Sequence, residues 1–452
     1  MNPATLQAIT AREELTLLDE FVDLETGIIR ELLRPGVGFE DPDWFLGIAM
    51  PSRIWNTGMF PGRHNLSEGN AVGETDLAAT LGAIGETLER YCLAFYDRRE
   101  LVFTSFADAG RHGLSNLTDP ESYALFAPEQ RVSWCVPFTR ESPVYWTEGI
   151  SLIEKRARWL PAQFVYLPYA PGPDEDYVFT SSSTGTAFGA TLENAILSGL
   201  CESVERDAFA IHWLNKIDRP ALDIFADPDL HAWYQRLFGK FSNQLRVYDI
   251  TTDLGIPTFF ALLLGERGRV EPFMSVGASC HPDPLRALKK AVLEAFHTRR
   301  YGMNLMLLER IDAQGYPSSA DTNRFHAHVL RYTRPVPEAE VAFCCSPAQQ
   351  LPIGPVLDAH RQRAGLDGSH PLRACVGRLH ASGYDAVVVD VTTEDIAEKG
   401  FCAAKTVVPG LHPLWAGEDV PLGGRRIYDV PPLLGAPRKR REQMNLFPHP
   451  FP

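Results

Sequence analysis

Two short stretches of this chain repeat one pattern, and that pattern constrains the fold more than any other feature. "GETLERYCLAF" starts at Gly85 and "CESVERDAFAI" starts at Cys201. Both read Glu-x-x-Glu-Arg with an aromatic-rich tail: Glu86, Glu89 and Arg90 in the first, Glu202, Glu205 and Arg206 in the second. On a helix, residues at i, i+3 and i+4 share a face, so both carboxylates and the guanidinium project together. Taken singly, either copy reads as a solvated face with intrahelical ion pairs. Two copies on otherwise apolar helices read differently, because buried like charges demand a metal ion or a partner. Pointed at each other, the two faces would make a four-carboxylate cage. Magnesium suits such a cage, since it prefers oxygen ligands and bridges carboxylates to nucleotide phosphates. The arginines could then hold phosphate oxygens or lock the glutamates in place. No Gly-x-x-x-x-Gly-Lys-Ser/Thr loop occurs in the chain, so any ATP site here has another design.

The hydrophobic periodicity predicts three long helices, over 76–98, 191–215 and 284–301. Leu77, Leu81, Ile84 and Leu88 form the apolar stripe of the first; Thr191 caps the second, with Glu193 and Asn194 in its first turn. "CHPDP" supplies the start signal of the third. Strand-like runs stand at 246–251, 257–264 and 272–279, then at 384–392 and 402–410 after a short helix near 373–382. The loose alternation predicts an α/β fold of mixed α+β layers. The stretch 317–372 reads as an irregular insertion. No low-complexity linker divides the chain, so one interlocked domain is expected, with 1–60 as an N-terminal extension and 61–452 as the body.

A chain of 452 residues with 45% hydrophobic and 22% charged residues has the composition of a globular protein with a sizeable core. A net charge of -14 argues against a general nucleic-acid backbone binder. The N-terminus lacks the apolar core of a signal peptide, and the most apolar run, "TFFALLL", is too short to span a bilayer. A cytoplasmic protein with no membrane segment is therefore expected. The eight cysteines form no Cys-x-x-Cys pair, which predicts reduced, mostly buried thiols.

These motifs resemble the YcaO family, whose ATP site is built from acidic residues on several helices. The family's first motif, Gly-Lys-Gly and then Ser-Ala-x-x-Glu-x-x-Glu-Arg-Tyr, is matched here at Gly73, Ala83, Glu86, Glu89, Arg90 and Tyr91. Its second, Ser-Asn-Gly-x-Ala-x-Gly-x-Thr and a helix with Glu-x-x-Glu-Arg-Asp-Ala, is matched over 183–208 at Ser183, Gly185, Ala187, Gly189, Thr191, Glu202, Glu205, Arg206, Asp207 and Ala208. The run 281–300 resembles the family's third helix, with Glu294 and Arg299 in place, and 390–396 and 407–414 resemble its C-terminal strand and Pro-Gly-Leu turn. The closing "PHPFP" resembles the Pro-x-Pro-x-Pro tail of azoline-forming members. Departures are Val72 for the lysine, Gly82 for the helix serine, Thr184 for the asparagine, Asn194 for a first-turn glutamate and His297 for a glutamine.

The resemblance implies a YcaO-like fold, with helices on mixed sheets around an ATP cleft, and a cyclodehydratase that uses ATP and Mg2+. It implies metal binding by Glu86, Glu89, Glu202 and Glu205. Nucleotide binding would involve those residues with Arg90, Ser183, Glu193, Asn194, Arg206, Glu294 and Arg299. The substrate would be a ribosomal precursor peptide whose Cys, Ser or Thr side chains close onto the preceding amide as thiazolines or oxazolines. Relatives of this size work with a separate ThiF-like protein that binds the leader peptide. A flavin dehydrogenase can join the same complex, and the chain can pair with itself as a homodimer. Prolines at 448, 450 and 452 fix φ and favour a stiff extended end, so Pro448, Pro450 and Pro452 are expected in catalysis, with a terminal carboxylate near the reacting amide. "RKRR" at 438–441 reads as a solvated basic patch. Alternatives are a YcaO enzyme forming thioamides or amidines by the same phosphorylation, and a catalytically weak peptide-binding scaffold.

Overall fold

The computed structural model describes residues 15–36 (Leu17 excepted), 41–52, 68–123, 125–239, 245–266, 271–308, 325–364, 370–417 and 419–452. The chain divides into two compact units. The first comprises 1–118, 140–199 and 387–407; the second comprises 119–139, 200–386 and 408–452. The chain passes from one to the other several times, and the expected boundary at 60/61 lies outside the described residues.

In the first unit, strands Ile29–Leu33, Phe45–Pro51 and Gly69–Gly73 form an antiparallel sheet. The helix Asp76–Ala94 lies on it, started by Thr75, whose hydroxyl accepts the Ala78 N–H at 3.1 Å. Ala83, Ile84 and Leu88 of this helix are fully buried beside Ile29, Ala49 and Val387. A second sheet runs in the order Val102–Thr104, Val144–Ser151, Val387–Asp390, Cys402–Val407, Thr186–Gly189, with Ala157–Pro161 paired to Val144–Ser151.

In the second unit, a five-stranded sheet has the order Met274–Cys280, Thr258–Leu264, Leu245–Asp249, Ala221–Asp223, Gln350–Pro352. Its pairs are antiparallel except the last, which is parallel. Thr258–Leu264 and Met274–Cys280 are buried almost throughout, which accounts for the continuous apolar run of the first and the small and apolar residues of the second. The helix Pro284–Leu308 packs on these two strands. The helix Leu192–Asn215 starts in the first unit and carries Glu202 onward in the second. Its apolar residues Phe209, Ile211, Trp213 and Leu214 are nearly or fully buried in the second unit's core.

Mixed α/β architecture, the three long helices and the five strands thus stand where the periodicity placed them. The stretch 317–372 is different: its described residues carry helices Phe325–Arg331, Glu338–Cys345 and Ile353–Ala364 and the strand Gln350–Pro352. Prolines at 335, 337, 352 and 355 make the sequence look punctuated, but Pro337 caps one helix and Pro355 sits in the first turn of another, where no N–H is missed. All eight cysteines are free thiols, and five of them are buried. No helix among the described residues is long and apolar enough to cross a membrane.

Candidate active site

The first motif is held by a close approach of helix to sheet. A Cβ on Gly69 would stand 2.2 Å from the Ala83 carbonyl, so only glycine lets the strand run this near. That approach brings the Asn70 N–H to Glu86 Oε2 at 2.6 Å. Glu86 Oε1 takes Arg90 Nη2 at 2.6 Å, and Arg90 Nη1 donates to the Glu68 carbonyl. Both oxygens of Glu86 are therefore engaged and its rotamer is fixed. Glu89 lies half-buried on the same helix. Tyr91 anchors the end of the motif, donating to Asp395 at 2.7 Å.

Ser183, half-buried, begins a turn in which its carbonyl accepts the Thr186 N–H at 2.8 Å. Thr191 caps the second motif helix as its sequence suggested, its hydroxyl accepting the Asn194 N–H at 3.2 Å. Glu193 and Asn194 are exposed in that first turn.

In the second unit the structure brings Glu202, Glu205, Arg206 and Glu294 into one cluster. Arg206 Nη2 stands 3.5 Å from Glu202 and Nη1 3.5 Å from Glu205. Burial pushes the Glu205 carboxyl up to about 7, with Glu202 and Glu294 adding to the rise against Arg206 and Lys290. Glu294 goes the other way. Burial would raise it, but the bond from His297 and the charges of Lys290 and Arg206 bring it down to about 2. Two glutamates of one cluster are thus pushed apart in acidity, as acid and base groups of active sites are. The sequence reading missed Lys290, although it stands one helical turn before Glu294.

Arg206 Nε and Nη1 are buried and find no hydrogen-bond acceptor among the described residues. A buried guanidinium with spare donors suits an anion, and a buried carboxyl raised to about 7 suits a cation. The groups present therefore fit a magnesium–nucleotide pair. Among the described residues, no three His, Cys, Asp or Glu side chains form a metal cage by themselves. The four motif glutamates divide two and two between the units.

Two other motif residues are tied into the framework. Arg299 is buried and donates to Glu271 Oε2 from Nε at 3.0 Å and Nη2 at 2.8 Å. Asp207, next to Arg206 and fully buried, accepts Arg426 Nε at 2.9 Å and the His412 N–H at 2.9 Å. Arg426 also reaches Asp253 at 2.7 Å. Asp207 thus holds the turn after the Pro-Gly-Leu motif against the second motif helix. Asp207→Ala leaves buried Arg426 with Asp253 alone and takes the acceptor from the His412 N–H, and is expected to cost about 1–3 kcal/mol, read as a lower urea midpoint with unchanged slope.

The proline-rich tail lies packed against the same helix. Tyr332 donates to the Pro448 carbonyl at 2.5 Å, and fully buried His449 pairs its Nε2 with the Trp415 carbonyl at 2.6 Å. Pro450 is buried and Pro452 exposed. Between them Phe451 sets its ring edge-on to Phe209, centroids 4.4 Å apart, and under the Arg206 guanidinium at 5.1 Å. Arg438 of the basic patch is exposed and pairs with Asp429 at 3.0 Å.

The profile of the family described as YcaO cyclodehydratase, ATP- and Mg2+-binding, matches residues 70–412 of this chain. The chain belongs to the YcaO family. An uncharacterised protein in the tfuA 3' region of Rhizobium leguminosarum bv. trifolii is 26% identical over 82% of this chain and 83% of its own length. A heterocyclase solved in complex with substrate and cofactor superposes with a TM-score of 0.74 at 23% identity, covering 99% of this chain. The chain spans only 58% of that heterocyclase's length. The YcaO protein from Methanopyrus kandleri, solved with AMPPCP and Mg2+, gives a TM-score of 0.61 at 18% identity, covering 90% of this chain and 92% of that one. These likenesses establish the YcaO fold, and the family points to an enzyme that uses ATP and magnesium.

Proposed function

We propose that this YcaO enzyme is an ATP-dependent cyclodehydratase that forms thiazolines or oxazolines on a ribosomal precursor peptide. In this reading a Cys, Ser or Thr side chain of the peptide attacks the preceding backbone carbonyl and gives a hemiorthoamide. Phosphorylation of the former amide oxygen by ATP turns a very poor leaving group into phosphate; as phosphate departs and the former amide nitrogen loses its proton, the C=N bond of the azoline forms. Glu86 and Glu89 of the first unit and Glu202 and Glu205 of the second would be the magnesium ligands, with Ser183, Glu193, Asn194, Glu294 and Arg299 binding the nucleotide or supporting those ligands. Magnesium, when bound, neutralises charge on the transferring phosphoryl group. Arg206 offers its spare donors to phosphate oxygens, and Arg90 holds Glu86 in its ligating rotamer. A leader-binding partner protein would deliver the peptide.

The observation that supports this reading most directly is Arg206. It lies among Glu202, Glu205 and Glu294, has no hydrogen-bond acceptor for Nε among the described residues, and carries the tail's Phe451 against its face. Nucleotide-type residues and the tail typical of ring-forming members thus meet on one side chain. The test is incubation of the protein with partner, precursor peptide, ATP and magnesium, followed by mass measurement. Ring formation removes one water per ring. Exchange of oxygen for sulfur would show a thioamide-forming enzyme instead. No mass change and no peptide-stimulated ATP turnover would leave a binding scaffold and overturn the proposal.

A further inference from the structure

Lys405 is buried to 2% exposure in the strand Cys402–Val407, directly opposite Thr186 in the antiparallel pair with Thr186–Gly189. Its ammonium donates to two carbonyls, Ser182 at 2.6 Å and Thr184 at 2.7 Å, which flank Ser183. The intervening Ser183 carbonyl accepts the Thr186 N–H at 2.8 Å, and the Gly185 carbonyl accepts the Thr406 N–H at 2.7 Å. Four consecutive carbonyls, Ser182 to Gly185, are therefore all bound by protein donors. Gly185 takes φ +85°, open to glycine, and a Cβ on Gly199 would come within 2.2 Å of its carbonyl. The turn is clamped from the strand side and from the second motif helix together.

We propose that Lys405 is a positioning residue for the nucleotide, fixing the Ser183–Gly185 turn and placing a positive charge behind it. The proposal rests on the reading that this turn takes ATP. N–H and C=O point in opposite directions across a trans peptide. Drawing the Ser182 carbonyl onto the ammonium therefore turns the Ser183 N–H the other way. A backbone N–H directed out of a turn attracts anions, and a cation behind it strengthens that pull. Nothing in the composition of "CAAKTVV" marks this lysine, because its partners lie more than 200 residues earlier.

The test compares wild type with Lys405→Met and Lys405→Gln. Methionine removes charge and donors; glutamine keeps two amide donors for the carbonyls and removes only charge. Nucleotide binding is read by the thermal shift with a non-hydrolysable ATP analogue and magnesium, and turnover by KM and kcat for ATP. The expected result is a KM for ATP raised about tenfold in both variants, with kcat changed far less. A lysine that serves folding alone would lower melting temperature and leave KM unmoved, and that outcome overturns the proposal. Where Lys405→Met does not fold, Lys405→Gln decides. A wild type that shows no nucleotide shift overturns the ATP reading itself, and this proposal falls with it; a wild type that shifts beside variants that shift equally overturns only the role of Lys405.

Discussion

Glu205→Gln is expected to abolish peptide-stimulated ATP turnover while raising the melting temperature of the metal-free protein at pH 8. The two effects have one origin. Burial pushes the Glu205 carboxyl up to about 7, so the folded state prefers it protonated. Stability from this group is fully present below the unfolded value near 4.5 and is lost as pH rises through about 7. The displacement from 4.5 to about 7 corresponds to about 3 kcal/mol at alkaline pH. Glutamine carries no charge at any pH, so the variant should gain up to that amount over wild type at pH 8 and nothing at pH 4. Chelator-treated protein melted at both pH values measures this directly. In the proposed enzyme the same charge is what draws magnesium, so stability and activity pull against each other at this residue. A variant no more stable at pH 8, or one that still turns over ATP with peptide, would remove Glu205 from the metal site.

How legible was this in the sequence? Glu86, Glu89, Glu202 and Glu205 could be picked out because helical spacing is local: three and four residues apart means one face, whatever the rest of the chain does. The same locality made helices readable at 76–98 and 191–215 and strands at 257–264 and 272–279, which stand at Asp76–Ala94, Leu192–Asn215, Thr258–Leu264 and Met274–Cys280. What stayed hidden was pairing over distance. Asp207 meets Arg426, and Lys405 meets Ser182 and Thr184, across more than 200 residues each, and no periodicity links such partners. The helices within 317–372 were hidden for another reason. They are short, and at the starts of Glu338–Cys345 and Ile353–Ala364 stand prolines that read as loop punctuation, where a missing N–H costs nothing. The division into two units built from interleaved stretches was equally unmarked, because a chain that passes repeatedly between units leaves no linker to find.

Truncation after Phe447 is expected to cut ring formation by about a hundredfold, the scale of losing a group that orients a reactive centre. The tail is no loose strand that can be removed at leisure. Phe451 and His449 are buried in the second unit's core, and removing a buried Phe alone costs about 3–5 kcal/mol. Truncation therefore lowers stability as well, and by itself cannot separate packing from orientation. Phe451→Leu can. Leucine keeps most of the apolar volume, and such exchanges cost under about 1.5 kcal/mol. It removes the aromatic face beneath Arg206, a contact worth about 0.5–2 kcal/mol. Arg206 would then sample other rotamers between Glu202 and Glu205, and its donors would be less well placed for phosphate. Ring formation by Phe451→Leu should fall by about tenfold at a temperature where circular dichroism shows the variant folded. If the folded variant instead cyclises a matched precursor peptide at the wild-type rate, Phe451 only fills space, and the tail's link to the second motif carries no catalytic weight.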